Sequence, residues 1–314
     1  MIYHTNFDYE LALAKQSKNR AHSPNERMNN EFSYLFLWVE AKKEKVLNSK
    51  LNFGANYIEY ISKKLGEEVK SSWAYKADVS PINWWGKLEN IPLETKLNSK
   101  IYQQELFKDI NQNNFISGNI ARKGLYRSEG ELFFRPEFGF AGMGSFKFTN
   151  ESFIPTKGVV TPFLEKVGDI SCFYKNGEFF IYLNNISKLN SFHSCSVFRD
   201  KTMLSKELNN RNMDYHVIKE SFSKGAEVIK RDFPDLNEYQ MDAIYTVDNK
   251  CLINEINYRK SMGQVALKLF DFFQDRPYLN FTLSSFKKKS CTDEMIILTP
   301  KNNYNYQFIT AISF

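Results

Sequence analysis

No stretch of 18 apolar residues occurs in the 314-residue chain, so the sequence offers no membrane-spanning helix. Its first residues lack a charged-then-apolar leader, which points to a cytoplasmic protein. Cysteine is scarce and scattered. Cys172, Cys195, Cys251 and Cys291 form no CxxC pair, which excludes a zinc ribbon or a vicinal dithiol. The first three sit among apolar or strand-like neighbours and read as buried free thiols of a reducing compartment. His4, His22, His193 and His216 are equally dispersed, and His193 beside Ser194 has no identifiable nucleophile partner, so it reads as a loop residue. Neither a GK[ST] phosphate loop nor a strand–Gly–helix dinucleotide turn is present. Basic charge is thin for a net +6: Lys287-Lys288-Lys289 is the one dense tract, which argues against a nucleic-acid surface. An anionic small molecule such as a nucleotide explains the excess equally well.

Aromatic residues are plentiful, 28 Phe and 17 Tyr, and most must be core. The most informative stretch is Tyr239–Gly263. Met241, Ala243, Tyr245 and Val247 alternate, Asp248-Asn249-Lys250 turns, and Leu252-Ile253 runs into Glu255-Ile256-Asn257, which predicts a hairpin. Alternation puts Glu255 and Asn257 on one face, and a short turn can bring Asp242 opposite them. Two carboxylates and an amide oxygen are hard ligands of the type Mg²⁺ takes alongside phosphate and water. Arg259 and Lys260 add cationic donors beside them. A half-exposed hairpin carrying ordinary solvated charges is the competing reading.

A second stretch, Arg135–Phe148, runs strand, glycine loop, strand. Gly139, Gly142 and Gly144 would let backbone N–H groups approach phosphate oxygens without Cβ interference, as a flap rather than a fixed cradle. A plain glycine-rich turn is the alternative. Elsewhere, helices are expected over Glu31–Val46, Asn52–Val69, Asn98–Gly118, Met213–Phe233 and Ser261–Phe273. Strands are expected at Ser71–Asp78, Gly118–Arg122, Glu131–Arg135, Val159–Leu164, Met295–Leu298 and Tyr306–Ser313, with a hairpin turning at Asn176-Gly177. Lys15–Asn30 reads as a loop, and Trp84-Trp85 as packing between domains. Ile186–Asp200 reads as irregular, with Lys188, His193 and Arg199 as candidate anion contacts.

In this order, the two stretches resemble the ATP-grasp superfamily of carboxylate–amine ligases. The resemblance covers about Ser99–Gly263. It implies an α+β fold in which two lobes clamp ATP: a small lobe with the glycine flap over 98–160 and a larger lobe with the metal site over 161–314. Residues 1–97 would form a divergent N-terminal domain. By this resemblance Arg135-Pro136 stands where the family has Lys-Pro, an exchange that keeps charge but alters reach. Gly139, Gly142 and Gly144 match its flap, and Lys100 looks like its first ATP-phosphate lysine. Thr161, Phe163 and Leu164 match the adenine-binding hinge, and Asp169 the ribose-binding acid. Asp242, Glu255 and Asn257 match its metal set, for two Mg²⁺ ions with Mn²⁺ as a substitute. That spacing is similar to the D-alanine–D-alanine ligase branch. Gln240 departs from it, standing where several branches carry arginine, so Arg259, Lys260 or Arg199 would stabilise the transition state.

The reaction so implied joins a carboxylate to an amine through an acyl phosphate, releasing ADP and phosphate. Its partners would be small molecules, by default amino acids or short peptides. Dimerisation is common among the proteins it resembles. A kinase delivering phosphate to a hydroxyl uses the same phosphate-binding parts, and a non-catalytic nucleotide-binding module is a further alternative.

Overall fold

The computed structural model describes residues 2–15, 26–41, 45–74, 82–108, 114–139, 142–187, 191–285, 295–301 and 306–314. Of the residues singled out above, His22, Lys188, Cys291 and Lys287–Lys289 lie outside them.

Four short strands, β1 (Ile2–His4), β2 (Lys45–Asn48), β3 (Ser71–Ala74) and β4 (Ile82–Asn83), build a parallel sheet in the order β3-β2-β1-β4. Helices α1 (Tyr9–Ala14), α2 (Glu26–Glu31), α3 (Leu35–Val39) and α4 (Ala55–Leu65) accompany it. The helix expected over Glu31–Val46 is instead broken: α2 ends at Glu31, a 3-10 turn spans Phe32–Tyr34, and α3 stops at Val39. All five α3 side chains are buried, so this segment is hydrophobic all round and has no amphipathic stripe to mark its ends. Trp84 and Trp85 are buried, and Trp85 packs on Phe7 at 4.6 Å between centroids.

Helices α5 (Ile91–Asn98) and α6 (Lys100–Leu106) lead into a second sheet. Ser99 caps α6 by accepting the Tyr102 N–H at 3.2 Å. Strands β5 (Asn119–Ala121), β6 (Gly124–Pro136), β7 (Phe146–Ile154) and β8 (Gly158–Pro162) pair antiparallel in the order β5-β8-β6-β7. The glycine loop joins β6 to β7.

The third sheet has eight strands: β9 (Lys166–Lys175), β10 (Glu178–Ile186), β11 (Phe192–Phe198), β12 (Glu238–Thr246), β13 (Cys251–Asn257), β14 (Tyr278–Ser285), β15 (Ile296–Ile297) and β16 (Phe308–Ser313). Their order is β13-β12-β9-β10-β11-β14-β16-β15, with every pairing antiparallel. Helices α7 (Lys201–Asn210) and α8 (Tyr215–Asp232) follow β11, and α9 (Met262–Phe270) follows β13. One face of this sheet, with Ile170, Cys172, Met241, Ala243 and Ile253, packs under the Ile218–Phe222–Ala226–Ile229 stripe of α8. Each of the buried Ile, Met and Phe side chains among these contributes roughly 1.5–3 kcal/mol. The opposite face meets α9 and the N-terminal sheet in a separate core. Strand alternation therefore sends every second residue of β9, β12 and β13 toward the N-terminal region. Cys172, Cys195 and Cys251 are buried free thiols, as their neighbours suggested. Of the segment 186–200 expected to be irregular, Phe192–Phe198 forms strand β11. Among the described residues no helix is long and apolar enough to cross a membrane.

Candidate active site

The β12–β13 hairpin forms as expected, and its register sets Asp242 opposite Glu255 and Gln240 opposite Asn257. Ser171 of β9 lies opposite Asp242 on the other side. Asp242 Oδ1 accepts from Ser171 Oγ and from Gln240 Nε2, the latter at 2.6 Å, and Oδ2 accepts from Asn257 Nδ2 at 2.6 Å. Ser171 Oγ in turn accepts from Asn184 Nδ2. Burial, and then the charge of Glu255, push the Asp242 carboxyl up to about 6; Ser171, Gln240 and Arg259 offset only part of this.

That shift has a sign that can be measured. Between its ordinary value of 3.8 and about 6, the folded protein keeps a proton at Asp242 that the unfolded chain has released. Stability from this group is greatest below that window and falls as pH rises through it. In unfolding midpoints taken without divalent cations from pH 4 to 7, the wild type is expected to lose stability relative to Asp242→Asn across the window. Parallel curves would refute the buried, repelled acid.

Register shifts between Asp242 and Ala243 leave Asn254 as an extra residue on β13, a β-bulge of the kind that re-aims groups beside a site. Its carbonyl accepts Nη1 of Arg135, which reaches across from the end of β6, at 2.5 Å. Arg135 is 7% exposed, and its Nε and Nη2 are buried with no partner among the described residues. Burial pulls its pKa down, partly countered by Glu255. Lys100, the first residue of α6, is also buried. Its Nζ pairs with Glu255 Oε1 at 3.2 Å and donates to the Gly139 carbonyl at 3.3 Å, so one ammonium touches both the acidic pair and the flap. Ser99 Oγ donates to Glu137 Oε1 at 2.6 Å at the flap's root. Gly142 and Gly144 have φ of 73° and 75°, a left-handed conformation that favours glycine.

The remaining expected residues divide. Thr161 is buried inside β8, and Leu164 lies in the short connection to β9. The Phe163 N–H is already committed to the Glu131 carbonyl at 2.9 Å. Its half-exposed ring instead lies 6.4 Å from Phe133, with the Lys147 ammonium 3.9 Å over it. Asp169 shares the Asp242 face, two residues before Ser171, and is gripped by Lys166 Nζ at 2.7 and 2.8 Å. Arg259 joins the site. It is ion-paired with Glu10 of α1 and lies 5.3 Å from the Trp85 ring. Burial pulls its pKa down, but Glu10, Glu255 and Asp242 together raise it overall. Lys260 points to different company: its ammonium is 5.6 Å from the Trp84 ring, among Lys268, Glu238, Glu40 and Lys87, and burial lowers its pKa. Arg199 does not join the site. Its Nη2 donates to the Phe270 and Phe273 carbonyls at 2.9 and 3.0 Å, closing the carboxyl end of α9 about 14 Å from the end that faces Gln240.

Ser171, Asn184, Tyr182, Glu10, Phe133 and Lys147 are neighbours the sequence did not point to. Cross-strand partners are set by register, which a single sequence reveals only within a hairpin.

No family model matches the sequence, and no curated protein matches it. Solved structures do match. An ATP-grasp superfamily protein from Archaeoglobus fulgidus superposes over 100% of this chain and 98% of its own, with a TM-score of 0.51 and 12% identity. The chain has the ATP-grasp fold. A biotin carboxylase from Campylobacter jejuni superposes over 99% of this chain and 81% of its own, with a TM-score of 0.50 and 8% identity. The Lys100–Glu255 ion pair and the Arg135–Asn254 hydrogen bond tie α6 and the end of β6 to the β12–β13 hairpin of the eight-stranded sheet.

Proposed function

We propose that this chain is an ATP-dependent carboxylate–amine ligase working through an acyl phosphate. The observation that carries the reading is the pair of unpartnered, buried N–H donors on Arg135, beside a Lys100 that joins the flap to Glu255. Buried donors without acceptors are costly, and a polyphosphate would supply the missing oxygens. The Campylobacter jejuni biotin carboxylase, of the same fold, was solved as a β-γ-ATP complex, which supports the choice of nucleotide.

Asp242 and Glu255 fit Mg²⁺, because two repelling acids opposite each other offer hard oxygens, and Asn257, whose Nδ2 donates to Asp242 Oδ2, would turn its amide oxygen to the ion. Bound there, Mg²⁺ would neutralise and align the β- and γ-phosphates. Arg135 and Lys100 would hold phosphate oxygens, and Asp169 the ribose. Arg259, steadied by Glu10, would orient the carboxylate substrate. One of that substrate's oxygens attacks the γ-phosphorus and ADP leaves. The amine nitrogen then attacks the carbonyl carbon, phosphate departs, and the nitrogen loses a proton to give the amide. The Gly139–Gly144 flap would exclude the water that competes with the amine.

The carboxyl edge of the parallel sheet lies at the far side of this site: Trp85 there accepts the Lys260 N–H at 2.7 Å. Ligands of parallel α/β sheets gather at such edges. We assign the carboxylate substrate to it and favour an amino acid or short peptide, from the similarity of the metal spacing to ligases that join amino acids. ADP release screened with Mg²⁺ against amino acids and short peptides, followed by mass spectrometry, tests this. A ligase yields free phosphate and an amide in equal amounts with ADP. A stable phosphorylated product without free phosphate would replace this reading with a kinase.

A further inference from the structure

We propose that Gln240 is a positioning residue that fixes which oxygen of Asp242 is offered to the cation, anchored through Tyr182 and Ser261 to the first turn of α9. The proposal rests on the reading of Asp242 as a cation ligand.

Gln240 lies two residues before Asp242 on the same face of β12 and is 4% exposed. A buried primary amide must find partners for both its ends. Its Oε1 accepts from Tyr182 Oη at 2.6 Å and from Ser261 Oγ. Ser261 caps α9 and accepts the Gln264 N–H at 3.3 Å, so its own proton is free to go to Gln240. Tyr182 cannot drift: a Cβ added at Gly263 would sit 2.2 Å from its ring atoms, which means α9 rests directly on that ring. With Oε1 so held, the Gln240 NH₂ faces Asp242 Oδ1 at 2.6 Å. Flipping the amide would set two acceptors against each other. Oδ1 therefore carries two donors, Gln240 and Ser171, whereas Oδ2 carries only Asn257. A carboxylate oxygen has two in-plane acceptor positions, so the remaining one is on Oδ2. Gln240 thus makes Asp242 a one-oxygen ligand and ties its orientation to the helix that follows the Arg259–Lys260 loop.

The test is calorimetric titration of ATP into the full chain, first in EDTA and then across a Mg²⁺ series, for wild type, Gln240→Leu and Tyr182→Phe. Gln240→Leu is expected to bind metal-free ATP as wild type does. The Mg²⁺ concentration that gives half of the affinity gain should rise about 10–100-fold, the usual cost of removing a partner of a metal ligand. Tyr182→Phe, which leaves Ser261 on Gln240, should show a smaller rise in the same direction. An unchanged Mg²⁺ requirement in folded Gln240→Leu overturns the proposal. Should Gln240→Leu fail to fold, an unchanged requirement in Tyr182→Phe overturns it equally. The two readings separate in the wild type: no ATP binding at any Mg²⁺ concentration sinks the ligase assignment as well, whereas Mg²⁺-enhanced binding shared by all three proteins sinks only the role of Gln240.

Discussion

Asp242→Asn is expected to abolish ADP formation while leaving the fold in place. Removing a residue that merely orients a metal ligand costs about 10–100-fold, so loss of the ligand itself should reach at least about 100-fold. The fold should survive because the side chain keeps its shape. It also removes a buried acid that Glu255 already pushes up to about 6. One of its donors, Ser171, Gln240 or Asn257, must then turn away from an NH₂ group, at a cost of about 1–3 kcal/mol. A single cooperative melting transition together with turnover at the normal rate would remove Asp242 from the metal set.

Arg135→Met is expected to weaken ATP binding without weakening the protein. Among the described residues Arg135 makes one hydrogen bond, to the Asn254 carbonyl, and leaves Nε and Nη2 buried and unpaired. Replacing a buried charge that is only partly compensated, here by Glu255, with an apolar side chain of similar length is often neutral or stabilising, so the melting midpoint should hold or rise. A hydrogen bond to a charged partner contributes about 1.5–3 kcal/mol, which predicts a loss of affinity of about 10- to 100-fold. Arg135→Lys should recover part of it, since an ammonium keeps the charge without the planar fork. Calorimetry of ATP binding beside thermal melts reads both effects. Unchanged affinity, or a marked fall in stability, would make Arg135 a structural residue.

Both of these residues stood out in the sequence, and so did the hairpin that holds Asp242 and Glu255. Its alternation is clean because Met241, Ala243 and Tyr245 are buried under α8 while the opposite phase is polar. The Asn176-Gly177 hairpin and the apolar stripe of α8 were legible for similar local reasons. Strand β11 was not. Its Ser194 and Ser196 are buried by bonding Asn185 and Asn280 at 2.9 and 2.6 Å, so apolar alternation is muted. Helix α7 buries only Leu204 and Leu208, too sparse a stripe to stand out. The N-terminal sheet hid because its strands are two to four residues long. Its first loop also lacks the glycine sought there. Asn6 there instead ties the loop to the one after β4, accepting from the Trp85 and Gly86 amides at 2.9 and 3.3 Å and donating to the Gly86 carbonyl at 2.7 Å. In sequence a cation such as Arg199 looks the same whether it meets a substrate or, as here, the carbonyls at a helix end.

The pleat of β12 carries a consequence for altering this protein. Gln240 and Asp242 share the face with Ser171 only because Met241, Ala243 and Tyr245 face α8, and a slip of one residue would exchange the two sets. Such a slip would drive the acid beneath a greasy helix and strand three apolar side chains in the site, so the hydrophobic layer proofreads the chemistry. Mutational libraries aimed at new substrates will therefore find their tolerant positions around the rim of the site, while the strand beneath it admits almost none.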